Sequence, residues 1–191
     1  MTTRSLLAAL LCIFTICPSS RASVSVNRTH HRLKVGVVAA YDCNHSENTD
    51  VTAGFINKFG HLILDVRTTP GDTADNGGGA IDGVDGIVFN KLEFDYKGAC
   101  DGTFIITYYA PNAPLGIDIS CAQATISPAP NGFVHLVFTP ETFNVAAGSV
   151  TNGFTLAKFV NANNSVETQI TNVKLNSEAI YPTSTQAGCQ F

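Results

Sequence analysis

The sequence predicts an all-β protein, a jelly-roll-like antiparallel β-sandwich preceded by a signal peptide. Three observations carry that reading. Apolar residues alternate with period two in some eight short runs, turn-forming residues break the chain about every 10 to 15 positions, and the N-terminus is a short apolar leader.

The leader comes first. Arg4 supplies a positive start, Leu6 to Ile16 an apolar run, and Ser20-Arg21-Ala22 a small-x-small cleavage site, so residues 1–22 read as a secretory signal. The run is shorter than the roughly 20 residues a membrane-spanning helix needs. Ile16 stands before Cys17 where a lipidation site requires a small residue. Residues 23–191 then form one β-sandwich domain, placed outside the cell or, in a bacterium, in the periplasm. No later segment is long and apolar enough to span a bilayer.

Cleavage removes Arg4 and Arg21, two of eleven positive charges, and takes the net charge from −4 to −6. His30-His31-Arg32 is the nearest approach to a basic cluster. Phosphate-backbone binding needs clustered Lys and Arg, so nucleic acid is excluded as an expected partner. Six cysteines become four: Cys43, Cys100, Cys121 and Cys189. An even count in an exported chain reads as two disulfides, and ligand spacing for zinc is missing.

The strands follow in order. "LKVGVVAAY" sets Leu33, Val35, Val37, Ala39 and Tyr41 on one face, and "HLILDV" sets Leu62, Leu64 and Val66 together. "LEFDY" turns Leu92, Phe94 and Tyr96 inward and Glu93 and Asp95 outward. "TFIITYY" and "LGIDISC" flank the "APNAP" turn, with Leu115, Ile117, Ile119 and Cys121 on one side of the second. "FVHLVF", "GFTLAKFV", "TQITNVKL" and a short "AIYP" complete the series. "TPETFNVAAG" alone hints at a helical turn. Eleven of the twelve Phe (Phe14 belongs to the leader) and five Tyr, without Trp, supply the bulk of a core between sheets about 10 Å apart. In this strand map Thr103 approaches Cys121 across a hairpin, which pairs Cys100 with Cys121 and leaves Cys43 for Cys189.

Two stretches resemble secreted jelly-roll sandwiches of the carbohydrate-binding-module or galactose-binding-like kind. "GVDGIVFNKLEFDYKGACDGTFIITYY" is similar to their central hairpin, and "GFTLAKFVNANNSVETQITNVKLNSEAIYP" to their closing strands. Together they cover under half of the domain. The closing strands of such modules often end in a DN-I-x-V-x-G segment; here Thr171 replaces the Asp and Ser177 the Gly. The resemblance implies the fold and a glycan-binding role. It also implies a structural calcium held by an acid near the last strand, a place where Thr171 brings no charge.

Candidate sites remain few. "GDTADNGGGAIDGVDG", residues 71–86, reads as a glycine-rich loop in which Asp72, Asp75, Asp82 and Asp85 offer oxygen ligands for calcium. The same residues serve equally as turn caps in a solvated loop. The expected cofactor is therefore none, or one structural calcium. His45 and His61 are candidates to join Asp42 or Glu47, though HExxH and His-x-His are both missing, and His135 faces away from the core. Glu93 and Asp95, about 7 Å apart on one strand face, have the spacing of a glycosidase pair and equally that of an ordinary solvent face. A G-x-S-x-G nucleophile elbow is missing as well. Tyr109, Tyr41 and Tyr96 are the candidate platforms for a sugar ring, with core packing as the alternative for each.

The expectation is a secreted, non-catalytic binding or adhesion domain for a glycan or another extracellular surface ligand. A structural or interaction subunit of the cell exterior is the first alternative. A small carboxylate-dependent glycoside hydrolase is the second.

Overall fold

A computed structural model describes residues 36–45, 49–111, 115–184 and 186–188. The chain divides into Met1–His31 and Arg32–Phe191. The first unit, with the expected signal segment, lies outside the described residues.

The second unit is an antiparallel β-sandwich of jelly-roll type. In chain order its strands are β1 (Val37–Cys43), β2 (Val51–Lys58), β3 (His61–Thr68), β4 (Asn76–Asp82) and β5 (Ile87–Val88). There follow β6 (Leu92–Lys97), β7 (Phe104–Tyr109), β8 (Ile117–Ser120), β9 (Thr125–Pro128) and β10 (Val134–Phe138). The last are β11 (Val150–Thr151), β12 (Gly153–Phe159), β13 (Val166–Leu175), β14 (Glu178–Ala179) and β15 (Tyr181–Pro182). The expected helical turn is a 3₁₀ turn, Pro140–Phe143.

One sheet runs β15-β1-β4-β12-β7-β8 and the other β2-β3-β13-β6-β10-β9, with β14 added to β13; β5 and β11 form a small ribbon. All pairs are antiparallel except β1 with β15. Leu92, Phe94 and Tyr96 on one sheet meet Phe104, Ile106 and Tyr108 on the other in a single core. Tyr96 stacks on Phe104 at 4.6 Å between centroids, and Phe89 lies 5.2 Å from Phe154 and 5.6 Å from Tyr108. Burial of each such ring contributes about 1.5–3 kcal/mol.

Two long strands escape period-two reading. In β2 the inward residues are Val51, Ala53 and Phe55, a weak alternation interrupted by Gly54. In β4 the residues expected to form a loop, Gly77, Gly78 and Gly79, are the middle of a central strand between β1 and β12. Glycine is needed there for close approach. A Cβ on Gly79 would sit 2.8 Å from Leu64 Cδ2, and one on Gly77 2.7 Å from Val51 Cγ2, both on the facing sheet. The triplet brings the two sheets together.

A buried cation breaks the apolar pattern of β12. Lys158 points inward with Phe154 and Leu156 and is fully buried. Its Nζ meets Asp101 Oδ1 at 3.1 Å and donates to Thr103 Oγ1. Burial raises the Asp101 carboxyl, but hydrogen bonds from Thr103 and Lys158 outweigh it and hold the group below the usual carboxylate range. The loop carrying Asp101 is anchored beside this contact by a disulfide between Cys100 and Cys121, as the strand map anticipated. Cys43 is buried and disulfide-bonded; the expected pairing with Cys189 falls on a residue outside those described.

Candidate functional site: a groove on the outer face of the six-stranded sheet

The outward positions of β1, β4, β12, β7 and β8 build a groove of about 880 Å³. Register defines its floor. One row across the sheet reads Tyr41, Gly78, Ala157, Ile105 and Ser120, and the next Ala39, Ala80, Thr155, Thr107 and Asp118. Small residues in the middle of both rows leave a trough, and larger ones stand around it. Tyr41 and Phe159 wall the β1 side, Tyr109 and Leu115 the β8 side, and His45 closes one end. The volume lies in the range of ordinary ligand sites, which is about 300–1,000 Å³.

Hydroxyls and one carboxylate punctuate this apolar surface. Thr107 Oγ1 donates to Asp118 Oδ1 at 2.7 Å, and the Tyr109 hydroxyl lies 3.4 Å from Thr155 Oγ1. Burial, and then the neighbouring Tyr109, push the Tyr41 phenol well above its ordinary pKa, so it stays protonated and available as a donor. At the His45 end, Asp75 is fully buried and accepts from the His45 backbone N–H at 2.6 Å and the ring Nδ1 at 3.0 Å. Asn76 beside it lines the groove, and its buried Oδ1 lacks a hydrogen-bond partner. Among the described lining residues Asp118 is the only acid. The arrangement can hold a ring against an aromatic wall and exchange hydrogen bonds with its substituents.

Two of the three tyrosines expected as platforms line this groove, but only Tyr109 offers an accessible ring. Tyr109 is half-buried on the outer face while Tyr108 enters the core. Tyr41 faces the groove although its ring is 1% exposed. Tyr96 requires a correction. It is fully buried between the sheets, with its hydroxyl donated to the Ala99 carbonyl at 2.8 Å, because its strand turns odd and even residues to opposite faces.

The aspartates of residues 71–86 do not converge. Asp72 and Asp75 precede β4, and Asp82 and Asp85 lie at its far end, about 20 Å away along a seven-residue strand. Among the described residues no three His, Cys, Asp or Glu side chains gather at a metal-binding distance. His45 and His61 lie apart, the first on the groove and the second at the β2–β3 turn; Glu47 is outside the described residues.

Glu93 and Asp95 share the outer face of the other sheet. Lys91 Nζ contacts Glu93 Oε2 at 2.8 Å, and Lys174 lies 3.9 Å from Oε1. Asp95 contacts His135 Nδ1 at 2.8 Å and accepts from Asn172 Nδ2 at 2.6 Å. Sequence reasoning missed Phe159, Thr155, Asn76 and Asp118 in the groove. The available signal was "GFTLAKF", where Thr155, Ala157 and Phe159 occupy the face opposite Phe154 and Leu156.

No family model matches the chain, and no curated protein matches it. Among solved structures, a family 30 carbohydrate-binding module of a cellulosomal cellulase from Clostridium thermocellum is similar. Its TM-score is 0.50 at 14% identity, over 76% of this chain and 97% of that one. The fold shared with that module is a β-sandwich. A second family 30 carbohydrate-binding module aligns with a TM-score of 0.46 at 14% identity, over 80% of this chain and 86% of its own. At 14% identity the likeness to the cellulosomal module is one of fold, and it agrees with the sandwich fold implied by the resemblance of residues 83–109 and 153–182.

Proposed function

We propose that this chain is a secreted, non-catalytic domain that binds a glycan in the groove of the six-stranded sheet. One observation carries the reading: a trough of small residues open to solvent, walled by Tyr109 and Phe159 and edged by Asp118 and threonine hydroxyls. Aromatic faces take the C–H surface of a sugar ring, and the fixed polar groups take its hydroxyls. The carbohydrate-binding role in the name of the similar cellulase module supports the choice of ligand. Secretion rests on the leader at residues 1–22. N-terminal sequencing of the exported protein should then begin at Ser23.

Binding is tested by retention of the protein in native gels cast with soluble polysaccharides, across a panel of β-glucans, xylan, mannan and galactan. At least one should retard wild type. Tyr109→Ala should weaken that retardation by about tenfold, consistent with loss of one aromatic contact, and leave the melting temperature nearly unchanged. Equal retardation of wild type and variant on every polysaccharide would remove the groove from the account.

A further inference from the structure

We propose that a second, shallower cleft, on the outer face of the seven-stranded sheet, contacts a single pyranose unit through Phe59, Asn131 and Asn172 over Asp95. Sugar as the ligand class rests on the glycan reading of the groove; the cleft itself rests on separate observations.

The cleft holds about 100 Å³ and lies where the β2–β3 turn, the Pro130–Gly132 turn before β10, and β13 come together. Six non-glycine residues among those described adopt positive φ, and three of them line this one cleft: Phe59 at 57°, Asn131 at 61° and Asn172 at 55°. Asparagine tolerates that conformation, whereas an aromatic residue there is an outlier. Phe59 gains little burial in return, since it is 54% exposed, with Lys58 Nζ over its ring at 5.5 Å. The two-residue β2–β3 turn requires positive φ at Phe59 and Gly60, and an aromatic residue kept there stores strain of the kind found at binding sites. Asn172 is placed by an independent device. The register between β13 and β6 shifts between Thr171 and Lys174, and this bulge sends Val173 into the core and Asn172 out to Asp95.

The chemistry selects a neutral, hydroxyl-rich ring. Phe59 presents an open apolar face. Asn131 has no side-chain hydrogen bond among the described residues, and Asn172 uses its Nδ2 on Asp95 while keeping its carbonyl oxygen. Asp95 is fixed from both sides, by His135 and by Asn172. A cationic ligand would meet Lys58 at the rim, and an anionic one would meet Asp95. At this volume the cleft grips one ring by a face and an edge rather than enclosing it, so binding is weak. Because groove and cleft lie on opposite faces of the sandwich, one molecule would bridge two glycan chains.

The test is an NMR titration of the ¹⁵N-labelled full chain with the methyl glycosides of glucose, galactose, mannose and xylose, up to tens of millimolar. At least one should shift the side-chain amide resonances of Asn131 and Asn172 in a saturable way. Phe59→Ala should weaken that response about tenfold. Asn131→Gly, which keeps the turn conformation, should weaken it too, while Tyr109→Ala should not affect it. Silence at both amides with all four glycosides, or an undiminished response in Phe59→Ala, overturns the proposal. Shifts at the cleft together with no polysaccharide retention through Tyr109 would leave the cleft standing and remove the groove reading alone.

Discussion

Replacing the glycines of residues 77–79 one at a time by alanine tests whether they form a strand or a loop. A Cβ on Gly78 would lie 1.7 Å from the Leu156 carbonyl oxygen and 2.8 Å from its carbon. Those atoms belong to the backbone of β12, so relief requires parting two central strands. Overpacking ordinarily costs about 1–3 kcal/mol, and an unyielding backbone contact puts Gly78→Ala at about 3 kcal/mol or more. Gly79→Ala meets only methyl ends, Leu64 Cδ2 at 2.8 Å and Val38 Cγ1 at 3.0 Å, which rotate. Its cost is about 1–2 kcal/mol. Gly54 in β2 is the control, with nothing within 4 Å of its Cβ. Alanine there should be neutral or stabilise by up to about 1 kcal/mol through the unfolded chain. For a domain of this size one kcal/mol moves the midpoint by about 2–4 °C. Thermal melts followed by far-UV circular dichroism should therefore order the variants Gly54→Ala, Gly79→Ala, Gly78→Ala, with the last at least about 6 °C below wild type. A Gly78→Ala protein melting within about 1 °C of wild type would mean that residues 76–82 are no strand, and the groove floor would go with them.

Three further perturbations follow from the buried contacts and the strained turn. Asp101→Ala should cost about 1.5–3 kcal/mol at neutral pH by stranding the Lys158 charge, and more than Lys158→Met, which leaves Asp101 partly solvated. Because the folded pKa of Asp101 is depressed, its stabilisation is complete above the ordinary carboxylate value and lost as pH falls through the lowered one. Melts from neutrality into acid should accordingly show wild type and Asp101→Ala converging. Phe59→Asn gives the β2–β3 hairpin the Asn-Gly pair its left-handed turn prefers, and should raise stability by about 1 kcal/mol in urea unfolding; a lower midpoint would refute the strain at Phe59. Cys100→Ser with Cys121→Ser opens a disulfide spanning a sequence separation of 21, and the chain-entropy estimate for that loop is a loss of about 3 kcal/mol. An unchanged midpoint would show that this link does not constrain the unfolded chain.

The half of the sandwich with polar outer positions was legible in the sequence. "LEFDY" places its inward residues correctly because the charged neighbours Glu93 and Asp95 mark the outward ones. The Cys100–Cys121 pairing followed from the same alternation. β4 was illegible for a physical reason. Its inward positions must be empty for Leu64 and Val51 to pack against them, so the sequence shows glycine where a strand normally shows valine. Flanking aspartates then complete the look of a metal loop. Lys158 was hidden in the same way: an inward lysine is readable only once Asp101 and Thr103 are known to reach it.

The groove was legible only as a failure of alternation. "VVAAY" in β1, "GGGAI" in β4 and "FTLA" in β12 are apolar or small at odd and even positions alike, the pattern of strands covered on both faces. The inner cover is the opposing sheet. On the outside Tyr41, Cys43, Ala80 and Ala157 form a second small cluster with Phe159 and Ala187 packed against it. There the C-terminal segment runs beside β1, with the Ala187 N–H donated to the Ala40 carbonyl and Thr183 N–H to Val38. This cover stops short of β7 and β8, where Tyr109, Ile105 and Thr107 remain half-buried. An outer sheet face made apolar by sequence, and covered among the described residues along only one side, leaves an apolar surface of the kind a ligand can cover. That partial cover among the described residues, more than any single tyrosine, is why the groove rather than the charged face of Glu93 and Asp95 is the site we propose.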